Sequence, residues 1–164
     1  MIFVTVGTHE QPFDRLLKCI DKMVNDKKIN EEVIVQKGYT DYEFKNCTSY
    51  KLISYKDMEK YIADARIIIT HGGPASFVAP LAIGKIPIVV PRQYKYNEHV
   101  NDHQLEFAKE VEKRMKNIIV AENEEEIIDA IVNYDEKVKM SSGEILSNNK
   151  KFNEILEEEI KKIL

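Results

Sequence analysis

The four histidines of the chain stand in three conspicuous contexts: His9 in GTHEQPFDRLL, His71 in THGGPAS, and His99 with His103 in NEHVNDHQLEFA. Imidazole changes charge near neutral pH, so such a set suits proton transfer and the binding of anions or polyols. The HGGPAS run has a mechanical reading. Gly72 and Gly73 let a backbone approach a ligand closely, and Pro74 suits a first helical turn because its missing N–H would have had no partner there. N–H groups at such a helix start, together with the positive end of the helix dipole, form an anion site, most often for phosphate. The same residues also suit a tight strand-to-helix turn that holds no ligand, and by themselves they leave both readings open.

The spacing of His99 and His103 is i, i+4 with Asp102 between them, on a helix expected from about His99 to Lys113. The resulting H-x-x-D-H pattern is close to the H-x-x-E-H of one class of zinc hydrolases. Asp in place of Glu, the lack of a marked third ligand and the order of elements all count against a metal. Two other readings of this stretch stand beside it: carboxylate, amide and imidazole groups gathered to hydrogen-bond a sugar, or a solvated helix start. Two nucleotide signatures can be tested directly. No G-x-G-x-x-G follows the first strand and no G-x-x-x-x-G-K-[ST] occurs anywhere, which disfavours an ordinary NAD enzyme or a P-loop NTPase.

The elements that must position these residues follow from periodicity. MIFVTVG is a β-branched run, and QPFDRLLKCIDKMV puts Phe13, Leu16, Leu17, Ile20, Met23 and Val24 on one helical face. EEVIVQKG and SYKLISY read as strands, KDMEKYIADA as a short amphipathic segment, RIIITHGG and KIPIVVPR as strands flanking the helix-like PASFVAPLAIG. The helix from His99 carries Val100, Leu105, Phe107, Ala108 and Val111, NIIVA is a last strand, and ENEEEIIDAIVNY is a helix with acidic residues in its first turn. DEKVKMSSGEILSNN reads as a connection to a terminal amphipathic helix at about 148–164, with Phe152, Ile155, Leu156, Ile160, Ile163 and Leu164 along one stripe. That stripe closes this domain's core or docks on a partner.

Strands alternating with helices imply a doubly wound α/β domain with a mostly parallel sheet, and IIIT and IPIVV are apolar throughout, as in strands buried on both faces. In such sheets ligands bind beyond the carboxyl ends of the strands. The informative residues are then Gly7, Thr8, His9 and Glu10 after the first strand, His71 to Ser76 after the fourth, and Pro91, Arg92 and Gln93 after the fifth.

At 164 residues, the chain is read as a single domain over 1–164, and 43% hydrophobic with 32% charged residues is ordinary for a globular protein. A net charge of −4 leaves no basic footprint for nucleic acid. Cys19 and Cys47 have no CxxC spacing, Met1 leads directly into IFVTV, and no apolar run nears the length of a membrane span, so a reducing cytoplasm is expected.

HGGPASFVAPLAIGKIPIVVPRQ and NEHVNDHQLEFA, with VTVGTHEQPFDRLL at the start, resemble the C-terminal-domain family of glycosyltransferase family 28 over about residues 1–120. Within it the sequence is most similar to the MurG-like, PssE-type capsule and exopolysaccharide β-galactosyltransferase subunits, and to the catalytic subunit of the eukaryotic split enzyme that adds the second N-acetylglucosamine to a dolichol-linked oligosaccharide. The resemblance implies a Rossmann-like domain, the UDP-sugar-binding half of a two-domain GT-B enzyme, working without a metal or other cofactor. The acceptor half would be a membrane-anchored partner subunit that presents a lipid-linked saccharide and holds this chain at the inner face of the plasma membrane.

Carried over by position, Gly7 and Thr8 match the loop near the donor diphosphate, and His71, Gly72, Gly73, Pro74, Ala75 and Ser76 match its glycine-rich turn. Arg92 lies near the nucleotide, Asp102, His103 and Gln104 match the segment that holds sugar hydroxyls, and Glu98 and His99 belong to the EHVNDHQ signature of the polysaccharide subgroup. One position departs from the pattern: Ala79, followed by Pro80, stands where many members have an acidic residue for the ribose, so either another group, such as Glu98 or Glu106, supplies that contact or the binding mode differs. The implied chemistry is inverting transfer from a UDP-α-sugar, with galactose implied by the kinship alone, to an acceptor hydroxyl. His9 is the candidate base, with a partner residue as its rival. A non-catalytic UDP-sugar-binding scaffold and a metal hydrolase using His99, Asp102 and His103 are the alternatives.

Overall fold

The computed structural model describes residues 1–141 together with 154, 155, 157, 158 and 160–162. Apolar runs form a six-stranded sheet: β1 (Ile2–Thr5), β2 (Val33–Gln36), β3 (Thr48–Tyr50), β4 (Ile67–His71), β5 (Ile88–Val90) and β6 (Ile119–Val120). Its order is β3-β2-β1-β4-β5-β6 and every pairing is parallel. The chain leaves β1 in one direction and returns at β4 in the other, so the order reverses between them, where such sheets open a crevice. Thr5 and Thr70 are register partners there.

Helices cover both faces. On one, α1 (Asp14–Asn25), α5 (Glu124–Val132) and α6 (Tyr134–Met140) bury Leu16, Leu17, Ile20, Ile127 and Tyr134 against Ile2, Val4, Val35, Ile67, Ile69 and Ile88. On the other, α2 (Tyr55–Asp64) packs Ile62 on Phe3, Ile34 and Ile68. There α3 (Pro74–Ala82) and α4 (His103–Met115) gather Phe77, Leu81, Phe107 and Val111 over Val89. Alternate residues of one strand, Val4 and Phe3, thus serve opposite faces, which is why these strands carry no polar side.

The expected doubly wound sheet is present, and three local expectations need correction. The strand expected over SYKLISY is displaced to Thr48–Tyr50, and Leu52 is exposed beyond it. The connection expected after Tyr134 begins as a helix, α6, anchored by the buried Tyr134, whose hydroxyl donates to Ile86 O at 2.7 Å. The helix expected from His99 begins at His103. Side-chain bonds hold the preceding loop out of helix: Asp102 Oδ1 accepts from Tyr94 N–H at 2.9 Å, Asn101 Oδ1 accepts from His103 N–H at 3.1 Å, and Asn97 is left-handed at φ 56°.

Of the terminal stripe, Ile155 is helical and buried in the cluster of Phe77, Leu81 and Phe107, whereas Ile160 is exposed. Phe152, Leu156, Ile163 and Leu164 lie outside the described residues.

Candidate functional site

Beyond the ends of β1, β2 and β4, a cavity of about 580 Å³ opens between α2 and α3, within the range of small-molecule sites. Thr5, Gly7, Thr8 and His9 line it from β1 and its loop, Gln36 from β2, and Thr70, His71, Gly73, Pro74, Ala75, Ser76 and Ala79 from β4 and α3. Tyr55, Met58, Ile62 and Ile68 make its apolar wall. Its floor is cross-linked: Gln36 Nε2 donates to Thr5 Oγ1 at 3.1 Å, Gln36 Oε1 accepts from Ile53 N–H at 2.9 Å, and Gly7 N–H donates to Thr5 Oγ1 at 3.2 Å. The Thr70 hydroxyl is buried and has no hydrogen-bond partner among the described residues. A buried hydroxyl without a bond is costly, so this one is available to a guest or a water.

His71 organises the turn. A Cβ on Gly7 or on Gly73 would overlap its ring, and Gly7 is left-handed at φ 72°, so both glycines are required by sterics. A Cβ on Gly72 would press on Gln104 and Pro91, which makes Gly72 a packing residue between β4 and β5. His71 Nδ1 accepts from Gly73 N–H at 3.0 Å and Nε2 lies 2.6 Å from Ser76 Oγ. Burial, and next the cation of Arg92, lower His71 from 6.5 to about 4, so it is neutral at physiological pH. Since Nδ1 accepts, the neutral ring carries its proton on Nε2 and donates to Ser76. The Ser76 O–H is thereby free to donate elsewhere. Pro74 has no N–H and Ser76 N–H turns to Gly73 O at 3.0 Å. With Gly73 N–H taken by His71, the start of α3 offers Ala75 N–H and the Ser76 hydroxyl, a narrower set than a fully open helix start.

Behind this turn lies a buried charge network. Arg92 has no exposed surface; its NH2 donates to Val6 O at 3.0 Å and its NH1 to Gln11 O at 2.7 Å and Glu98 O at 3.3 Å. Its guanidinium sits 4.8 Å over the Phe13 ring, and burial lowers its pKa to about 10 against the pull of Glu98. Glu98 takes Arg15 in a fork, Nε at 2.8 Å and NH2 at 3.0 Å, and accepts from Gln93 N–H at 3.1 Å. The network ties the loop after β5 to the loop after β1.

The chain matches, over residues 1–163, the model of the glycosyltransferase family 28 C-terminal domain. The chain belongs to that family. Among solved structures it resembles the glycosyltransferase SnogD from Streptomyces nogalater, with a TM-score of 0.58 at 17% identity, covering 99% of this chain and 42% of that one. It also resembles the glycotransferase of kitacinnamycin, with a TM-score of 0.54 at 11% identity, covering 96% of this chain and 42% of that one. These likenesses concern the fold. The chain spans less than half the length of either. None of the curated proteins matches the sequence.

In this glycosyltransferase domain the expected residues separate into two groups. Gly7, Thr8, His9, His71, Gly73, Pro74, Ala75 and Ser76 line the cavity; Gly72 lies just behind it. Arg92, Glu98, His99, Asp102, His103 and Gln104 are outside its lining. Arg92 and Glu98 belong to the buried charge network, Gln104 Oε1 accepts from Arg92 N–H at 3.1 Å, and Asp102 holds the Tyr94 N–H. The His99 ring packs on His9 with centroids 5.0 Å apart and planes tilted by 39°, and its pKa is lowered by burial, then by His9 and Arg92. Of the two carboxylates named for the ribose, Glu98 is engaged by Arg15 and Glu106 is exposed on α4; neither lines the cavity, whereas Ala79 does. The metal-hydrolase alternative loses its basis. His99 and Asp102 precede α4, and among the described residues no group of three or more His, Cys, Asp or Glu is placed to hold a metal ion.

Thr5, Gln36, Tyr55, Met58, Ile62, Ile68 and Thr70 were not marked by sequence. Gln36 closes β2 and Tyr55 opens α2, so both also lie at the carboxyl edge of the sheet. Among the described residues no helix is long and apolar enough to cross a membrane, and Cys19 and Cys47 are free thiols.

Proposed function

We propose that this chain is the catalytic, UDP-sugar-binding half of a two-component inverting glycosyltransferase. The observation that carries the reading is the cavity at the reversal of strand order, walled by Tyr55, Met58 and Ile62 on one side and by the Gly7–Thr8 loop and the Gly73–Ser76 turn on the other. A flat base suits the apolar wall, and a diphosphate suits the Ala75 N–H, the Ser76 hydroxyl and the positive end of α3. The anomeric carbon then lies toward His9. An acceptor hydroxyl attacks that carbon, the bond to the diphosphate oxygen breaks with inversion, UDP leaves, and the hydroxyl proton passes to a base. Fixed donors stabilise the charge that grows on the diphosphate, and they need no metal to do it.

The chain spans 42% of SnogD, and the acceptor half is proposed as a separate subunit. On the kinship read from HGGPAS and EHVNDHQ, that half is membrane-anchored, the acceptor is a lipid-diphosphate-linked saccharide of capsule or exopolysaccharide synthesis, and the sugar is galactose. His99, Asp102, His103 and Gln104 face the sugar once the halves close. Arg92 and Glu98 act beneath them.

The test is co-expression with a candidate membrane-anchored partner, then transfer of radiolabel from UDP-sugars to a lipid-diphosphate-sugar acceptor. Label in a β-linkage with released UDP is expected. UDP binding with no transfer to any acceptor would leave this chain a scaffold subunit.

A further inference from the structure

We propose that His9 acts as a fixed hydrogen-bond donor toward the departing diphosphate, and that the proton of the acceptor hydroxyl is taken by a group outside this cavity's lining. The inference deepens the proposed function and rests on it. It revises the expectation that His9 is the base.

The two imidazoles of the cavity are held by the same local device. His9 Nδ1 accepts from Gln11 N–H at 3.2 Å, and His71 Nδ1 accepts from Gly73 N–H at 3.0 Å, each from the residue two positions on. A backbone N–H can only donate, so Nδ1 must keep its lone pair, and the neutral ring then carries its proton on Nε2. A ring in that state gives a hydrogen bond from Nε2 and has no second lone pair with which to accept a proton.

Gln11 is itself pinned from behind, because the buried Arg92 donates to Gln11 O at 2.7 Å and to Val6 O at 3.0 Å. Turning the His9 ring over would forfeit the Gln11 bond, and turning the loop would strip Arg92 of its carbonyls. On its other side the His9 ring packs against His99, with the ring centroids 5.0 Å apart.

The remaining lining supplies no substitute base. It holds no Asp or Glu, and its other polar side chains are those of Thr5, Thr8, Gln36, Tyr55, Thr70 and Ser76. The nearby Glu98 and Asp102 are bound to Arg15 and to Tyr94 N–H. A cavity lined by N–H and O–H donors suits a leaving diphosphate, whose oxygens only accept. Deprotonation of the acceptor then falls to the half that holds the acceptor.

The test has two arms. Imidazole ¹⁵N spectra of the chain alone should show His9 with an unprotonated Nδ1 and a protonated Nε2 above its titration, as for His71. An Nδ1–H tautomer of His9 would overturn the proposal whatever the protein binds. In the second arm, UDP is titrated calorimetrically into wild type, His9→Gln and His9→Ala, since the Gln amide N–H takes the place of Nε2–H. His9→Gln should stay within about threefold of wild type and His9→Ala weaken about tenfold to a hundredfold, the range for a hydrogen bond to a charged group. Equal losses in both variants would overturn the donor role. Failure of wild type to bind UDP would count against the nucleotide reading itself, and the tautomer arm would still decide the lock.

Discussion

His71 makes the stability of this fold depend on acidity in a way that can be worked through. Its ring is lowered from 6.5 to about 4, chiefly by burial and next by Arg92. The unfolded chain therefore takes up a proton near 6.5 and the folded chain only near 4. Between those values the unfolded state binds more protons, so the contribution is fully present above about 6.5 and is lost as pH falls toward 4. Each unit of separation is worth about 1.4 kcal/mol, so a fall from pH 7 to pH 5 removes about 2 kcal/mol. Against a typical total of about 5–15 kcal/mol this is readily measured.

The perturbation is His71→Gln, which removes the titration. Urea unfolding at pH 7 and pH 5 should show wild type losing about 2 kcal/mol more than the variant over that interval. Every other titrating side chain is common to both proteins and drops out of the comparison. Equal losses in the two proteins, or a His71 resonance titrating near its ordinary value, would refute the argument that its buried, neutral ring organises the turn.

Gly73→Val drives a side chain into the His71 ring and should weaken UDP binding by about tenfold or more through the displaced turn; unchanged affinity by calorimetry would detach the turn from the site. Glu98→Ala leaves the largely buried Arg15 without its carboxylate and should cost about 3–5 kcal/mol in urea unfolding, whereas a loss under about 1 kcal/mol would reduce the pair to a surface contact. A chelator should leave UDP affinity and transfer unchanged, and loss of either that added divalent metal restores would contradict charge stabilisation by protein donors alone.

Much of this was legible because β-branched runs and helical stripes report burial directly. IFVT, IIIT and IVV could be placed as strands, and the HGGP run as the turn between strand and helix, because glycine and proline act through backbone geometry that is local in sequence. What stayed hidden depended on partners far along the chain. Arg92 in VPRQ reads as a residue near the nucleotide, yet its NH1 and NH2 groups donate to the Val6, Gln11 and Glu98 carbonyls. Glu98 looks like a ribose ligand until Arg15, 83 positions away, closes on it. The helix expected at His99 was lost to hydrogen bonds from Asn101 and Asp102 that compete with the helical pattern. Tyr55 reads as the end of the strand SYKLISY and Met58 as part of a short amphipathic segment, and only the return of α2 across the sheet brings them to the cavity wall.

The central claim is that the space between the Gly7–Thr8 loop, the Gly73–Ser76 turn and the wall of α2 receives a nucleoside diphosphate. Titrating UDP into the ¹⁵N-labelled chain and following its amide resonances tests it most directly. The amides of Gly7, Thr8, Ala75 and Ser76 should shift first and most, saturating together, with Tyr55 and Met58 following the base. No shift at saturating UDP, or shifts gathered on another surface such as the groove of Lys28, Ile128 and Val132, would contradict the account.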